Sequence, residues 1–246
     1  MQRYFIDIAF RGEPFHGWQI QPGEITVQQT VEEALSRFFG TQTSVTGAGR
    51  TDAGVNARRM VAHFDAQEPL VDTAPLVRAL NSMCGRDIAV SNLRPVHPEA
   101  HARFDATSRT YHYYATLYKS PFFHILSWQA PPRLDFEAMN SAARLLLDTD
   151  DFASFAKLHS DTKTTICKVT EAEWRKCTDG GMVFVITADR FLRNMVRAVV
   201  GTLVDVGRGK LTVSDFQRVI DSHDRCAAGT SMPPQALYLW DVTYPY

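Results

Sequence analysis

The sequence has no run of the roughly 18 apolar residues a membrane-spanning helix needs, and so offers no membrane span. Its N-terminus, MQRYFIDIAF, alternates like a strand and lacks the long apolar stretch of a signal peptide. The four cysteines (Cys84, Cys167, Cys177 and Cys226) are scattered and form no C-x-x-C pair. Neither a disulfide framework nor a zinc ribbon is indicated. Low-complexity segments and short repeats are absent, and the formal net charge is only −1. A soluble, cytoplasmic protein with no membrane partner is expected.

What is present fits a chain that buries a core. Of its 246 residues, 45% are hydrophobic, 22% charged and 11% aromatic, ordinary values for one large domain or two small ones. The small net charge hides an uneven distribution. Arg50, Arg58 and Arg59 surround Asp52 alone, and residues 186–210 carry Arg190, Arg193, Arg197, Arg208 and Lys210 against Asp189 and Asp205. If those segments converge, one side of the molecule is basic, the footprint of a polyanionic partner.

The hydrophobic periodicity predicts a β-α-β-β-α-β order in the first half. Strands are read at 2–10, 44–46, 59–64 and 87–96. A first helix opens at Thr26, where Thr26-x-x-Gln29 has the capping-box form, and stops at Gly40; Val27, Val31, Ala34, Leu35 and Phe38 share a face. A second runs over 72–83, capped by Asp72 with Pro75 in its first turn. The second half reads similarly: strands at 109–117, 165–176, 182–188 and 237–243, helices at 136–147 (capped by Asp135), 192–206 and 213–222, and a hairpin turn around Asp179. Two halves, 1–105 and 106–246, are expected. The fold class is α+β, with mixed, mostly antiparallel sheets covered by helices in the split βαβ manner of ferredoxin-like and RRM-like domains.

One stretch carries more than architecture. GAGRTDAGVNARR (47–59) sets a single carboxylate, Asp52, in a glycine-rich turn among arginines. No acid or histidine stands beside Asp52 at metal-ligand spacing, so a metal site is not indicated. An arginine-flanked carboxylate is held ionised and suits a nucleophile or a base. On spacing alone, a structural ion pair accounts for it equally well. In LRNMVR (192–197), Arg193 and Arg197 are read as i and i+4 on a helix, and Arg197, amid MVRAVVGTLV, calls for a buried acid such as Asp52. In RTYHYYATLY (109–118), alternation puts Tyr111 and Tyr113 on one strand face and His112 and Tyr114 on the other. Such tyrosines either pack or stack against a base.

Taken together, GRTDAGVNA (49–57), HARFDATSRTYHY (101–113), DFASF (151–155) and FLRNMVR (191–197), with GWQIQ (17–21) and ALYL (236–239), resemble the bacterial tRNA pseudouridine synthase A family in order and over essentially the whole chain. The resemblance implies an isomerase, without metal or cofactor, that converts uridines 38, 39 and 40 of the tRNA anticodon stem-loop to pseudouridine and works as a homodimer. It matches Asp52 to the nucleophile, Tyr111 to the tyrosine at the target base, Arg197 to the arginine paired with the aspartate, and Arg50 to the arginine that helps hold the flipped-out nucleotide. Arg58, Arg59 and Arg193 are expected to contact the RNA. Two positions depart from the family pattern: Asn56 replaces its usual histidine, and Ala236 its usual glycine. A tRNA-binding protein without chemistry, or an isomerase of another RNA site, are the alternatives.

Overall fold

A computed structural model describes residues 1–157, 163–178 and 180–246. The chain divides into two compact units, Met1–Thr107 with Leu239–Tyr246, and Ser108–Tyr238.

Unit 1 contains β1 (Gln2–Phe10), α1 (Val27–Phe39), β2 (Thr46–Gly47), β3 (Asn56–Ala66), α2 (Ala74–Met83) and β4 (Ile88–Val96). β1 pairs antiparallel with both β3 and β4, and β2 pairs antiparallel with β3. The spatial order β4-β1-β3-β2 is the split βαβ arrangement that the element order implies. Tyr4, Ile6 and Ile8 lie opposite Phe64, Ala62 and Met60. Phe39 at the end of α1 reaches Phe64 at 6.0 Å, so α1 covers this face. Val27, Val31, Ala34 and Leu35 of α1 are buried against it, each large side chain contributing about 1.5–3 kcal/mol. Phe38, expected on that face, is instead exposed.

Local signals set the helix ends. The Thr26 hydroxyl accepts the Gln29 N–H at 3.3 Å, and Gly40 takes the left-handed conformation past the last turn. Only half of the expected capping box forms, because the Gln29 side chain donates to Glu33 at 2.8 Å instead. α2 starts two residues later than predicted. The Asp72 carboxylate accepts the Ala74 N–H at 2.9 Å in a preceding turn, and Thr73 stands at the cap. β2 is shorter than its sequence suggests and shifted toward the glycine turn, while β3 is longer in both directions.

Unit 2 contains β5 (Ser108–Thr116), β6 (Trp128–Gln129), α3 (Phe136–Arg144), β7 (Val169–Lys176), β8 (Met182–Ala188), α4 (Met195–Gly207) and α5 (Val213–Asp221). β8 lies between β5 and β7, antiparallel to both, and β6 runs parallel to β5. Asp135 caps α3 by accepting the Glu137 and Ala138 N–H groups. Thr212 and Asp215 form a reciprocal capping box on α5. The turn residue Asp179 lies outside the described residues. α4 begins at Met195 rather than at 192, because Asn194 sits at φ +67° and cannot continue a helix backwards. The last strand, β9 (Leu237–Thr243), brings the chain back into unit 1, where it neighbours β3. Among the described residues no helix is long and apolar enough to cross a membrane.

Candidate active site

Asp52 occupies the turn between β2 and β3, half-buried. The turn closes on itself through the Val55 N–H, which donates to the Asp52 carbonyl at 3.1 Å. A second segment, the loop that follows β1, braces it from outside. The Trp18 N–H donates to the Thr51 carbonyl at 3.2 Å, and the Gly12 N–H donates to Asn56 Oδ1 at 2.8 Å. Gly17 is required here: it takes φ +87°, and a Cβ on it would lie 2.5 Å from the Thr51 carbonyl oxygen. The carboxylate therefore projects from a backbone pinned on both sides. Asn56, the departure from the family pattern, is 2% exposed and belongs to this bracing rather than to an RNA-facing surface.

The arginines near the turn separate by strand alternation. Arg50 and Arg58 are exposed, and the Arg58 guanidinium lies 4.5 Å from the centroid of the Trp240 ring. Arg59 points to the opposite sheet face. Its Nε donates to Asp7 at 2.8 Å, and its Nη1 to Asp241 at 2.7 Å and the Val242 carbonyl at 3.1 Å. Asp7 also accepts from Asn92 at 2.9 Å and Arg94 at 3.2 Å. Arg59, expected at a phosphate, directs its Nε and Nη1 to the protein's own acids and backbone.

Unit 2 holds the other predicted residues. Tyr111 stands on β5 opposite Ile186, half-buried, with Phe191 edge-on at 5.0 Å. Tyr113, on the same face, is fully buried and donates its hydroxyl to the Pro233 carbonyl at 3.2 Å; burial pushes its phenol far above the ordinary tyrosine range. On the other face, His112 Nδ1 and the Tyr114 hydroxyl lie 3.2 Å apart, and Tyr114 packs edge-on against Tyr238. Arg197, in the first turn of α4, is half-buried. Its Nε donates to the Met232 carbonyl at 2.5 Å, while the Met232 N–H donates to the Arg197 carbonyl at 3.1 Å.

This two-way clasp belongs to a segment that the sequence reading missed. Residues 229–232 lie along α4 from its N-terminal end past its middle: the Gly229 N–H donates to the Thr202 hydroxyl at 2.9 Å, and Asn194 Nδ2 to the Ser231 hydroxyl at 2.6 Å. Gly201 makes the approach possible, since a Cβ there would lie 1.9 Å from the Thr230 carbonyl oxygen. A glycine within an otherwise apolar helix was the available signal. Arg193 is corrected too: it lies in the turn before α4, not on a helical stripe with Arg197, and its exposed side chain follows from that.

His97 and His101 are four apart, but each Nδ1 accepts backbone N–H groups in turns, from Glu99 and from Arg103 and Phe104. Among the described residues no group of three His, Cys, Asp or Glu side chains could hold a metal ion.

The sequence family described as tRNA pseudouridine synthase matches residues 142–245. Over its full length the chain is 57% identical to tRNA pseudouridine synthase A of Parabacteroides distasonis, covering 97% of that protein. It is likewise 55% identical over its full length to the protein of the same name from Bacteroides thetaiotaomicron (91% covered). The corresponding Bacteroides fragilis protein is 52% identical, again over the whole chain and 97% of its own length.

Proposed function

The chain belongs to the tRNA pseudouridine synthase family, and from that premise we propose that it isomerises uridines 38, 39 and 40 of the tRNA anticodon stem-loop with Asp52 as nucleophile. One observation carries the assignment of Asp52. Its carboxylate is the acid of a turn whose backbone is fixed by hydrogen bonds at Thr51 and Asp52. A group held this way needs little reorganisation before attack.

The target nucleotide must first leave the stem, at a cost of a few kcal/mol. An Asp52 oxygen then bonds to C1′ of the ribose as the C1′–N1 bond breaks, and the departing uracil keeps the electron pair on N1. The ring turns in place. C5 next bonds to C1′, expelling the carboxylate, after which C5 loses its proton and N1 gains one. The product is an isomer of the substrate, so neither oxidant nor co-substrate enters. Tyr111 is assigned to the target base and Arg197 to the cation that serves the carboxylate. Arg50, Arg58 and Arg193, all exposed, are assigned to the RNA. The active protein is proposed to be a homodimer, which a dimer mass by light scattering would check.

Release of tritium from tRNA carrying 5-tritiated uridine tests the chemistry, because the C5 hydrogen is lost only when the new bond forms. Wild-type protein should release it, from tRNAs whose only labelled uridine is at 38, 39 or 40. Asp52→Asn should bind tRNA but release essentially none. Substantial release by the variant would remove Asp52 as nucleophile. Binding without release by wild type would leave a tRNA-binding protein.

A further inference from the structure

The turn that follows β4 carries a feature that the isomerisation does not use. Phe104 is 75% exposed, yet its ring is held in place. It stacks on His101 at 4.2 Å with the planes 29° apart, and its own N–H donates to His101 Nδ1 at 3.2 Å. Beneath it, His101 meets His63 at 4.7 Å, and His63 stacks on Phe5; Phe5 and His63 are both buried. The turn itself is tied down, since Asp105 accepts the His101 N–H at 2.7 Å and the Tyr246 hydroxyl at 2.9 Å. The guanidinium of Arg103 lies 5.8 Å from the Phe104 ring centroid.

A single exposed aromatic needs no function. Phe122, 80% exposed, has no ring beneath it among the described residues and is the ordinary case. Phe104 differs because its orientation is fixed before anything binds, so a partner meets a rigid ring with no further ordering cost. Its neighbour is a cation. A pre-oriented aromatic face beside an arginine is the pairing by which unpaired RNA bases are held, the ring stacking on the base and the guanidinium serving the base or its phosphate.

We propose that Phe104, with Arg103 beside it, is a stacking platform for an unpaired nucleobase of the tRNA. This rests on the tRNA-modifying function proposed above. β3 sets the separation within unit 1. His63, under the platform, lies seven residues further along β3 than Asn56, where the Asp52 turn ends. At about 3.3 Å per residue that is roughly 23 Å. The stacked base is therefore not the isomerised uridine but a second nucleotide, and the platform sets the register of the RNA on unit 1.

Fluorescence anisotropy with a labelled tRNA transcript tests this on the full chain, using wild type, Phe104→Ala, Phe104→Leu and Phe104→Trp. Phe104→Ala should weaken binding about ten-fold, the loss of one stacked base. Phe104→Leu keeps apolar bulk over His101 without a π face and should bind as poorly as Phe104→Ala. Phe104→Trp should bind within about two-fold of wild type, since any flat ring can stack. Phe104→Ala binding like wild type, or Phe104→Leu binding like Phe104→Trp, overturns the platform. So does a fall in turnover with unchanged affinity. Wild-type protein that binds no tRNA overturns both readings; wild-type binding and tritium release with Phe104→Ala unaffected overturns the platform alone.

Discussion

Arg58 and Arg59 are neighbours in sequence with opposite duties, and the strand's two-residue period is the cause. Arg59 links Asp7 and Asp241, and Asp7 is 7% exposed. Removing the guanidinium leaves a nearly buried carboxylate with fewer partners. Arg59→Ala should therefore cost about 1–3 kcal/mol, between the values for exposed and fully buried pairs. Arg58→Ala gives up an exposed contact with Trp240 and should stay within about 1 kcal/mol of wild type. The order reverses for RNA: Arg58→Ala should weaken tRNA binding and lower the salt slope by about one, as expected for one lost phosphate contact. Urea unfolding and salt-dependent titrations separate the two; equal destabilisation by both variants would sink the distinction. Sequence composition alone had grouped these arginines, because counting charges does not reveal which face each one takes. Asn56 has the same lesson. In sequence it stands only as a departure from the family's histidine, whereas its partner, the Gly12 N–H, lies 44 residues away in the chain and is invisible to local pattern.

At the scale of elements, what was legible followed from short-range chemistry. Thr26, Gly40 and Asp135 mark helix ends through bonds or backbone conformation within a few residues, and a reading of adjacent positions suffices. Asn194 shows the limit, since a left-handed residue is sterically allowed to asparagine but not demanded by it. The bracing of the Asp52 turn and the clasp on Arg197 depend on segments meeting across the fold, so no period betrays them. The turn over His63 makes a further prediction. His63 Nδ1 accepts the Ala102 N–H at 3.1 Å, and burial lowers its pKa to about 4. An unfolded histidine titrates near 6.5. Between those values the unfolded chain binds the extra proton, so the contribution is fully present above about pH 6.5 and lost as pH falls toward 4. Wild type should be less stable at pH 5 than at pH 7 by about 2 kcal/mol from this group. His63→Gln should flatten that part of the profile. Parallel pH profiles for the two proteins in urea unfolding would rule out His63 as the source.

At the scale of the whole molecule, the order of elements is a poor guide to which residues stabilise one another. Read along the chain, β9 closes the second half. In the structure its residues from Leu239 onward belong to unit 1, more than 130 residues after the chain left that unit at Thr107. There Leu239 and Val242 are 1% and 0% exposed, Asp241 anchors Arg59, and the Tyr244 hydroxyl donates to the Ala102 carbonyl at 2.5 Å. Tyr244 also meets the buried Phe5 edge-on at 5.0 Å. Two buried aliphatic side chains alone contribute about 3–6 kcal/mol, comparable with the whole net stability of many domains. Ending the chain at Tyr238 should therefore unfold unit 1 in preference to unit 2, although every deleted residue is distant in sequence from β1 and β3. Hydrogen exchange on the truncated protein gives the check: amides of β1 and β3 should lose protection while those of β8, in the middle of the unit 2 sheet, keep theirs. Equal loss in both units would make the whole chain one cooperative unit. Retained protection in β3 would show that the returning strand is dispensable. The predicted outcome also bears on chemistry, because the Asp52 turn is built on β3, and an enzyme truncated at Tyr238 should lose tritium release together with that protection.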